Sequence, residues 1–363
     1  MFKFFHSGLC PIGIDAGSHA VRLAQFRPSA RGLSLQAACR IELDSLDGGA
    51  DGAPRLGSAV RHALASQDFV GRGVVLSLPV SCVHAKSVRL PQMPDSDLNQ
   101  ALQWEAKDRF GFDVGDGAGG QLVWFRAGEV RRGTEVKDEI LLFAIEGGVL
   151  NEYIQCLAEQ GLRLLAVDLS PCAIYRSLRR TAPAPEPALS ALLDIGHLGA
   201  QFFIIRGDEI VFYKYVDIGG KTLNEAVAAK LGISVPEALQ MRARIMADTT
   251  EEAAPLAQAL ADALRAPLEE LARELDMCMR YFVVTFRGAR PESLAVAGRQ
   301  AGAAPVRDTL AAALGLQVEE AQPLRGVQDL GDTARPDRSG EWALAAGLSL
   351  YPVLARRGME AAA

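Results

Sequence analysis

One block of sequence occurs twice in this chain, at a domain-sized interval. Residues 11–15 form a short apolar run that ends in Asp15-Ala16-Gly17-Ser18. Strand-like runs follow at 20–26 and 34–43, and residues 55–66 have a helical pattern. The second copy begins with the apolar run 192–195, which leads into Asp194-Ile195-Gly196, 179 residues after the first acidic turn. Strand-like runs at 201–206 and 209–216 flank a Gly207-Asp208 hairpin signal, and a helix opens after Gly219-Gly220. Repetition at this period is not that of a solenoid; it implies two similar lobes facing one another.

Strand and helix patterns alternate through the rest of the chain, which predicts an α/β protein. Residues 74–78 read as a continuous apolar strand. Leu98, Leu102, Ala106 and Phe110 make one apolar stripe on a helix over 95–110, and 121–125 and 140–145 read as strands. This material predicts a small α/β subdomain inserted in the first lobe. The expected organisation is 1–78 with 148–180 as the first lobe, 79–147 as the insert and 181–363 as the second lobe. Thr181-Ala182-Pro183-Ala184-Pro185-Glu186-Pro187 reads as a stiff linker, and residues 47–57, 111–120, 128–133 and 326–340 as surface loops. Leu264, Leu268, Leu271, Leu275, Cys278, Phe282 and Phe286 mark a long core helix.

Composition narrows the function. Of 363 residues, 49% are hydrophobic and 23% charged, which excludes wholesale disorder. Lys and Arg number 38 against 44 Asp and Glu, so the chain lacks the broad basic footprint of a nucleic-acid binder. The six cysteines include no C-x-x-C pair and read as reduced thiols rather than a disulfide framework or zinc site. No run of about 18 apolar residues spans a membrane, and Met1-Phe2-Lys3-Phe4-Phe5 is too short for a signal-peptide core. The expected location is the cytoplasm. The five histidines are scattered, and His197 reads as an exposed loop residue.

The chemistry sits in the repeated turns. Asp15, Gly17 and Ser18 combine a strand-end carboxylate with backbone N–H groups that small residues leave open to an anion. Asp194 and Gly196 repeat the design. Two aspartates facing across a cleft repel unless a cation separates them, and a hydrated magnesium ion on nucleotide phosphates satisfies both. The alternative is a pair of ordinary strand-end turns. Gly219-Gly220-Lys221-Thr222 is not a P-loop ending, because Tyr215 stands where the first glycine is required. It is either a tight turn into a helix or a turn whose N–H groups meet a phosphate or ribose. The strand 294–298 ends in Gly298-Arg299-Gln300, a turn able to pass close to an adenine or simply a loop.

Together these segments resemble the PilM family of type IV pilus assembly proteins, in the actin-like ATPase superfamily and related to the cell-division protein FtsA. The resemblance covers nearly the whole chain. It runs from Gly13-Ile14-Asp15-Ala16-Gly17-Ser18 through Val21-Arg22-Leu23 to Trp342-Ala343-Leu344-Ala345-Ala346-Gly347-Leu348, and its most specific stretch is Leu78-Pro79-Val80-Ser81 to Leu90-Pro91-Gln92-Met93. It implies a duplicated actin-like, ribonuclease H-like two-lobe fold with an inserted α/β subdomain. It further implies a scaffold that binds ATP and magnesium between its lobes and captures the N-terminal cytoplasmic tail of a PilN-like inner-membrane protein, beside the insert. That partner would hold it at the membrane and link it to other pilus platform and motor components.

By the same resemblance Asp15, Gly17, Ser18, Arg22, Asp194, Gly196 and Gly199 face the phosphates, with Asp15 and Asp194 holding magnesium through water. Gly219, Gly220, Lys221, Arg242, Gly298, Arg299 and Gln300 face ribose and adenine. The family's glycine run reads Gly298-Arg299-Gln300-Ala301 here, and its Glu/Lys helix reads Ala238-Leu239-Gln240-Met241-Arg242, so base and ribose contacts depart from the pattern. A competing reading is an active Mg-dependent ATPase with Asp168 orienting water. A scaffold of type II secretion or of a competence pseudopilus shares these features.

Overall fold

The computed structural model describes residues 8–351 except 30–31, 44–51, 116–118, 133, 181–188, 248–253 and 332–335. The proposed linker at 181–187 lies outside the described residues. The first sheet is built from β1 (Ile12–Ala16), β2 (Ala20–Ser29) and β3 (Gly32–Glu42), then α1 (Gly52–Ser66) and β4 (Gly73–Ser77). The insert follows as β5 (His84–Pro91), α2 (Asp95–Phe110), β6 (Gln121–Arg132) and β7 (Glu135–Ile145). The chain then adds α3 (Gly147–Glu159), β8 (Arg163–Val167) and α4 (Ser170–Arg179). The second lobe comprises β9 (Leu189–Ile195), β10 (Ala200–Arg206), β11 (Glu209–Val216), α5 (Gly220–Leu231), α6 (Val235–Ala247) and α7 (Ala254–Phe286). It closes with β12 (Ser293–Ala297), α8 (Ala304–Leu314) and β13 (Gln317–Glu320). The short β14 (Val327–Gln328) and α9 (Ala343–Ser349) come last.

The duplication is a topological one. The first sheet has the order β14-β3-β2-β1-β4-β8 and the second β11-β10-β9-β12-β13. In each, three antiparallel strands lead into two parallel ones. Parallel pairing requires long crossovers, and the helices supply them. The innermost strand of the first lobe is apolar up to its aspartate because both faces are covered: every residue of β1 is buried. Each lobe has its own core, and the α7 stripe from Leu264 to Phe282 packs into the second.

The insert is a three-stranded sheet of order β5-β7-β6 with α2 on one face. Its other face packs on the second lobe: Phe143 shares a cluster with Ile174 of α4 and with Leu192 and Phe203 of the second sheet. Three expected loops are structured in part, one of them 326–340, which holds β14. Residues 128–133 belong mostly to the β6–β7 hairpin, where Gly128 (φ 153°) sits at a register shift against Phe286. Residues 52–57 open α1, and Gly57 is there because a side chain would collide with Cys156 Sγ.

The last described elements return to the first lobe. β14 pairs in parallel with β3, and α9 lies between α4 and β1. Gly347 allows the backbone of α9 to touch that of Ala173, and Gly13 allows β1 to approach Ala345 and Ser349.

Candidate active-site cleft and adjoining groove

The two acidic turns meet in one cleft between the lobes. Asp15, Gly17, Ser18 and Arg22 line its first side, and Asp194, Gly196, Gly199, Gly220, Gly298, Arg299 and Gln300 its second. Gly219, Lys221 and Arg242 stand just behind this lining, and Asp168 stands apart from it. Asp168 accepts from Arg176 Nη1 at 2.7 Å and from its neighbour Leu169 N–H, while Arg176 also donates to Gly347 O. It thereby anchors α4 to α9.

Register sets the charge pattern. Asp15 lies opposite Arg22, and Arg22 opposite Arg40, so an acid and two guanidinium groups cross three strands in a row. Glu341 Oε2 approaches Arg40 Nε at 3.6 Å and Arg22 Nε at 3.9 Å. Arg22 Nε, Arg40 Nε and Arg40 Nη2 are buried without a hydrogen-bond partner, a cost that an anion in the cleft would relieve. Arg299 reaches across from the second lobe to Glu42 Oε1 at 3.4 Å.

Asp194 lies opposite Gln201, whose Nε2 donates to Oδ2 at 3.4 Å. Burial, and then the charge of Asp15, push its carboxyl up to about 6, with Arg22 opposing. Asp15 is also raised by burial, against the pull of Arg22. The charge of Asp15 thus bears on Asp194, a repulsion that a divalent cation between them would relieve. Among the described residues no group of three or more His, Cys, Asp and Glu side chains forms a cage for a metal ion. Gly17 keeps the first turn tight, since a β-carbon there would lie 2.6 Å from Ala20 O. Gly298 (φ 87°) lets its turn pass close to Ile195 O and Asp194.

On the second-lobe side of the cleft, polar groups pair with one another. Arg242 donates to Gly220 O at 3.4 Å, to Asn224 Oδ1 and to Gln300 Oε1, and burial lowers its guanidinium to about 10. The first N–H groups of α5 are also occupied: Gly220 N–H donates to Gly196 O at 2.9 Å and Lys221 N–H to His197 O at 2.8 Å. The residues present therefore fit phosphates and a cation at the acidic turns, while Gly220, Arg242 and Gln300, expected around ribose and adenine, bond to one another.

Sequence reasoning missed several cleft residues. His197 is not an exposed loop residue; its ring stacks on His19 from the opposite turn, centroids 4.6 Å apart. Arg40 and Glu341 gave no local signal, because one comes from β3 and the other from just before α9. Gln201 was open to detection, being 179 residues beyond Arg22.

A second concavity, a groove of about 910 Å³, adjoins the cleft. One wall comes from the insert (Ala85, Lys86, Leu141) and the other from β11 and α7 (Phe212, Met277, Tyr281). β5 and β11 are each the outermost strand of their sheet. Arg89 of β5 bridges the walls, pairing with Glu139 Oε2 at 2.6 Å and donating to Tyr281 Oη at 2.7 Å. Val80, Ser81 and Tyr215 line both the groove and the cleft. Among the described residues no helix is long and apolar enough to cross a membrane.

A family model described as type IV pilus assembly protein PilM matches residues 13–351. A comparison with curated proteins gave no match. Among solved structures, a PilM–PilN type IV pilus biogenesis complex is similar at TM-score 0.75 and 21% identity, covering 94% of this chain and 98% of that one. The ethanolamine utilization protein EutJ of Carboxydothermus hydrogenoformans is similar at TM-score 0.55 and 12% identity, over 94% and 89% of the two chains. MreB 5 of Spiroplasma citri, bound to AMPPNP, is similar at TM-score 0.51 and 9% identity, over 97% and 98%. The fold is that of the actin-like ATPases.

Proposed function

Since the chain belongs to the type IV pilus assembly protein PilM family, we propose that it is a cytoplasmic scaffold of the pilus assembly platform that holds the N-terminal tail of a PilN-like membrane protein in the groove between its insert and second lobe. The observation that carries this reading is the groove itself: two outermost strands, β5 and β11, flank a partly apolar channel. An extended tail gains main-chain hydrogen bonds along such an edge, and pockets for alternate side chains give selectivity. Lys86, Lys214, Glu139 and Asp217 on its walls supply charges of both signs for orienting a tail. The partner brings the scaffold to the inner membrane.

The cleft is the site for a nucleotide held chiefly through its phosphates and magnesium. Asp15 and Asp194 would hold the hydrated ion, which would neutralise the phosphate charge between them, while Arg22 and the two glycine turns orient the phosphates. The Arg242–Gln300 contact leaves the base and ribose fewer partners. Titration of the full chain with a synthetic PilN-type N-terminal peptide tests the scaffold reading. Saturable binding is expected, weakened about tenfold or more by Phe212→Asp in the groove wall. Absence of binding by the wild type, with and without Mg–ATP, overturns it.

A further inference from the structure

The cleft and the groove share more than a wall. Tyr213 of β11 lines the groove, where the ring of Phe143 meets it edge-on at 5.0 Å. Its hydroxyl points the other way and donates to Gln201 Oε1 at 3.1 Å. Gln201 lines the cleft and donates through Nε2 to Asp194 Oδ2 at 3.4 Å. Ser170 Oγ, at the start of α4 in the first lobe, donates to the same Oε1 at 2.8 Å. Two hydroxyl donors on one oxygen fix which way the amide faces, so Nε2 is turned toward the carboxylate.

We infer that Tyr213 and Gln201 are positioning residues that make occupancy of the groove change the affinity of the cleft for its Mg–phosphate ligand. The inference rests on the reading of groove and cleft given above. Asp15 is secured by Arg22 at 3.0 Å, but the side-chain donor that the described residues offer Asp194 is this amide, at the long end of hydrogen-bond distance. A side chain entering the groove against the Tyr213 ring displaces the hydroxyl, and the amide then has only Ser170 to orient it. Asp194 feels groove occupancy while Asp15 does not. The coupling is reciprocal, since ligands linked through one equilibrium change each other's affinity by the same factor.

The test is calorimetric titration of the full chain with Mg–ATP, alone and saturated with the synthetic PilN-type tail, then in reverse order. The wild type is expected to show at least about a fivefold change in affinity, equal in both orders. Tyr213→Phe keeps the ring in the groove wall and removes only the hydroxyl, and the change falls to none whatever the tail affinity itself becomes. Gln201→Leu abolishes the change as well, and the double variant loses nothing further. Tyr175→Phe removes a hydroxyl bonded instead to Gly207 O, and it keeps the wild-type ratio. Retention of the wild-type ratio by Tyr213→Phe overturns the inference, as does a wild type that binds both ligands independently. A wild type that binds no tail overturns the groove reading itself, and this inference with it.

Discussion

Arg22 faces Asp15 directly across two strands, with Nη1 donating to Oδ2 at 3.0 Å, and at the duplicated position Gln201 faces Asp194. The two lobes thus share a backbone plan and differ in electrostatics. One carboxylate has a cation for a partner and the other an amide, so the acidic pair is asymmetric before any ligand arrives.

Arg22→Gln makes the first lobe imitate the second. It leaves the buried Asp15 carboxylate without its cation, and the loss is expected to reach about 3 kcal/mol in urea unfolding. Arg22→Gln combined with Asp15→Asn recovers most of that loss, because no charge is then stranded.

Asp194, at about 6, carries a proton in mildly acid solution and has to lose it to face a cation. Affinity for Mg–ATP is expected to be flat above about pH 7 and to fall below 6, approaching about tenfold per pH unit. Binding at pH 5.5 releases a proton, which calorimetry in two buffers of different ionisation enthalpy detects. Asp194→Asn abolishes the proton release.

His19 is held at about 4, chiefly by burial and then by its neighbour His197, against an upward pull from Glu42. An imidazole lowered from 6.5 favours the folded state only while neutral, because the unfolded chain takes up the proton more readily. Its contribution to stability is complete above about 6.5 and is lost as pH falls toward 4. Melting temperature measured across that window should drop less steeply for His19→Gln than for wild type.

Because Arg242, Asn224 and Gln300 bond to one another on the second-lobe side of the cleft, the base contributes little to binding. ATP and GTP are expected to bind within about threefold of each other, a difference under 1 kcal/mol. Competition of each against a fluorescent nucleotide measures the ratio.

The duplication was legible because its markers are local: an aspartate at a strand end, small residues in the turn and apolar runs of strand length. The α7 stripe and the α2 stripe were legible through their helical spacing, and Leu98, Leu102 and Ala106 are indeed buried. Glycine misled where it serves close packing rather than a turn. Gly57 makes room for Cys156, and Gly128 accommodates Phe286 inside a hairpin. The cleft residues missed are those whose position depends on distant chain: Glu341 reaches Arg40 only because the last helix returns, and His19 meets His197 only because the lobes close. The departures at Arg299 and Gln300 were visible in the sequence, but their outcome was not. Arg299 crosses to Glu42, and Gln300 turns inward to Arg242.

Gly347→Ala drives a methyl group into the backbone of Ala173, where no side chain is available to yield. A loss of at least about 2 kcal/mol is expected, and Gly13→Ala behaves likewise from the opposite side of the same helix. Thermal unfolding of each variant checks both.

That helix gives the chain an order of assembly. Phe26 and Ala38 share their cluster with Trp342, Ala345 and Leu350, which lie beyond the whole second lobe in the sequence. During synthesis the first sheet therefore waits, with an apolar face uncovered, until that distant segment has been made, and the second lobe, encoded between them, has every opportunity to fold before the first is finished.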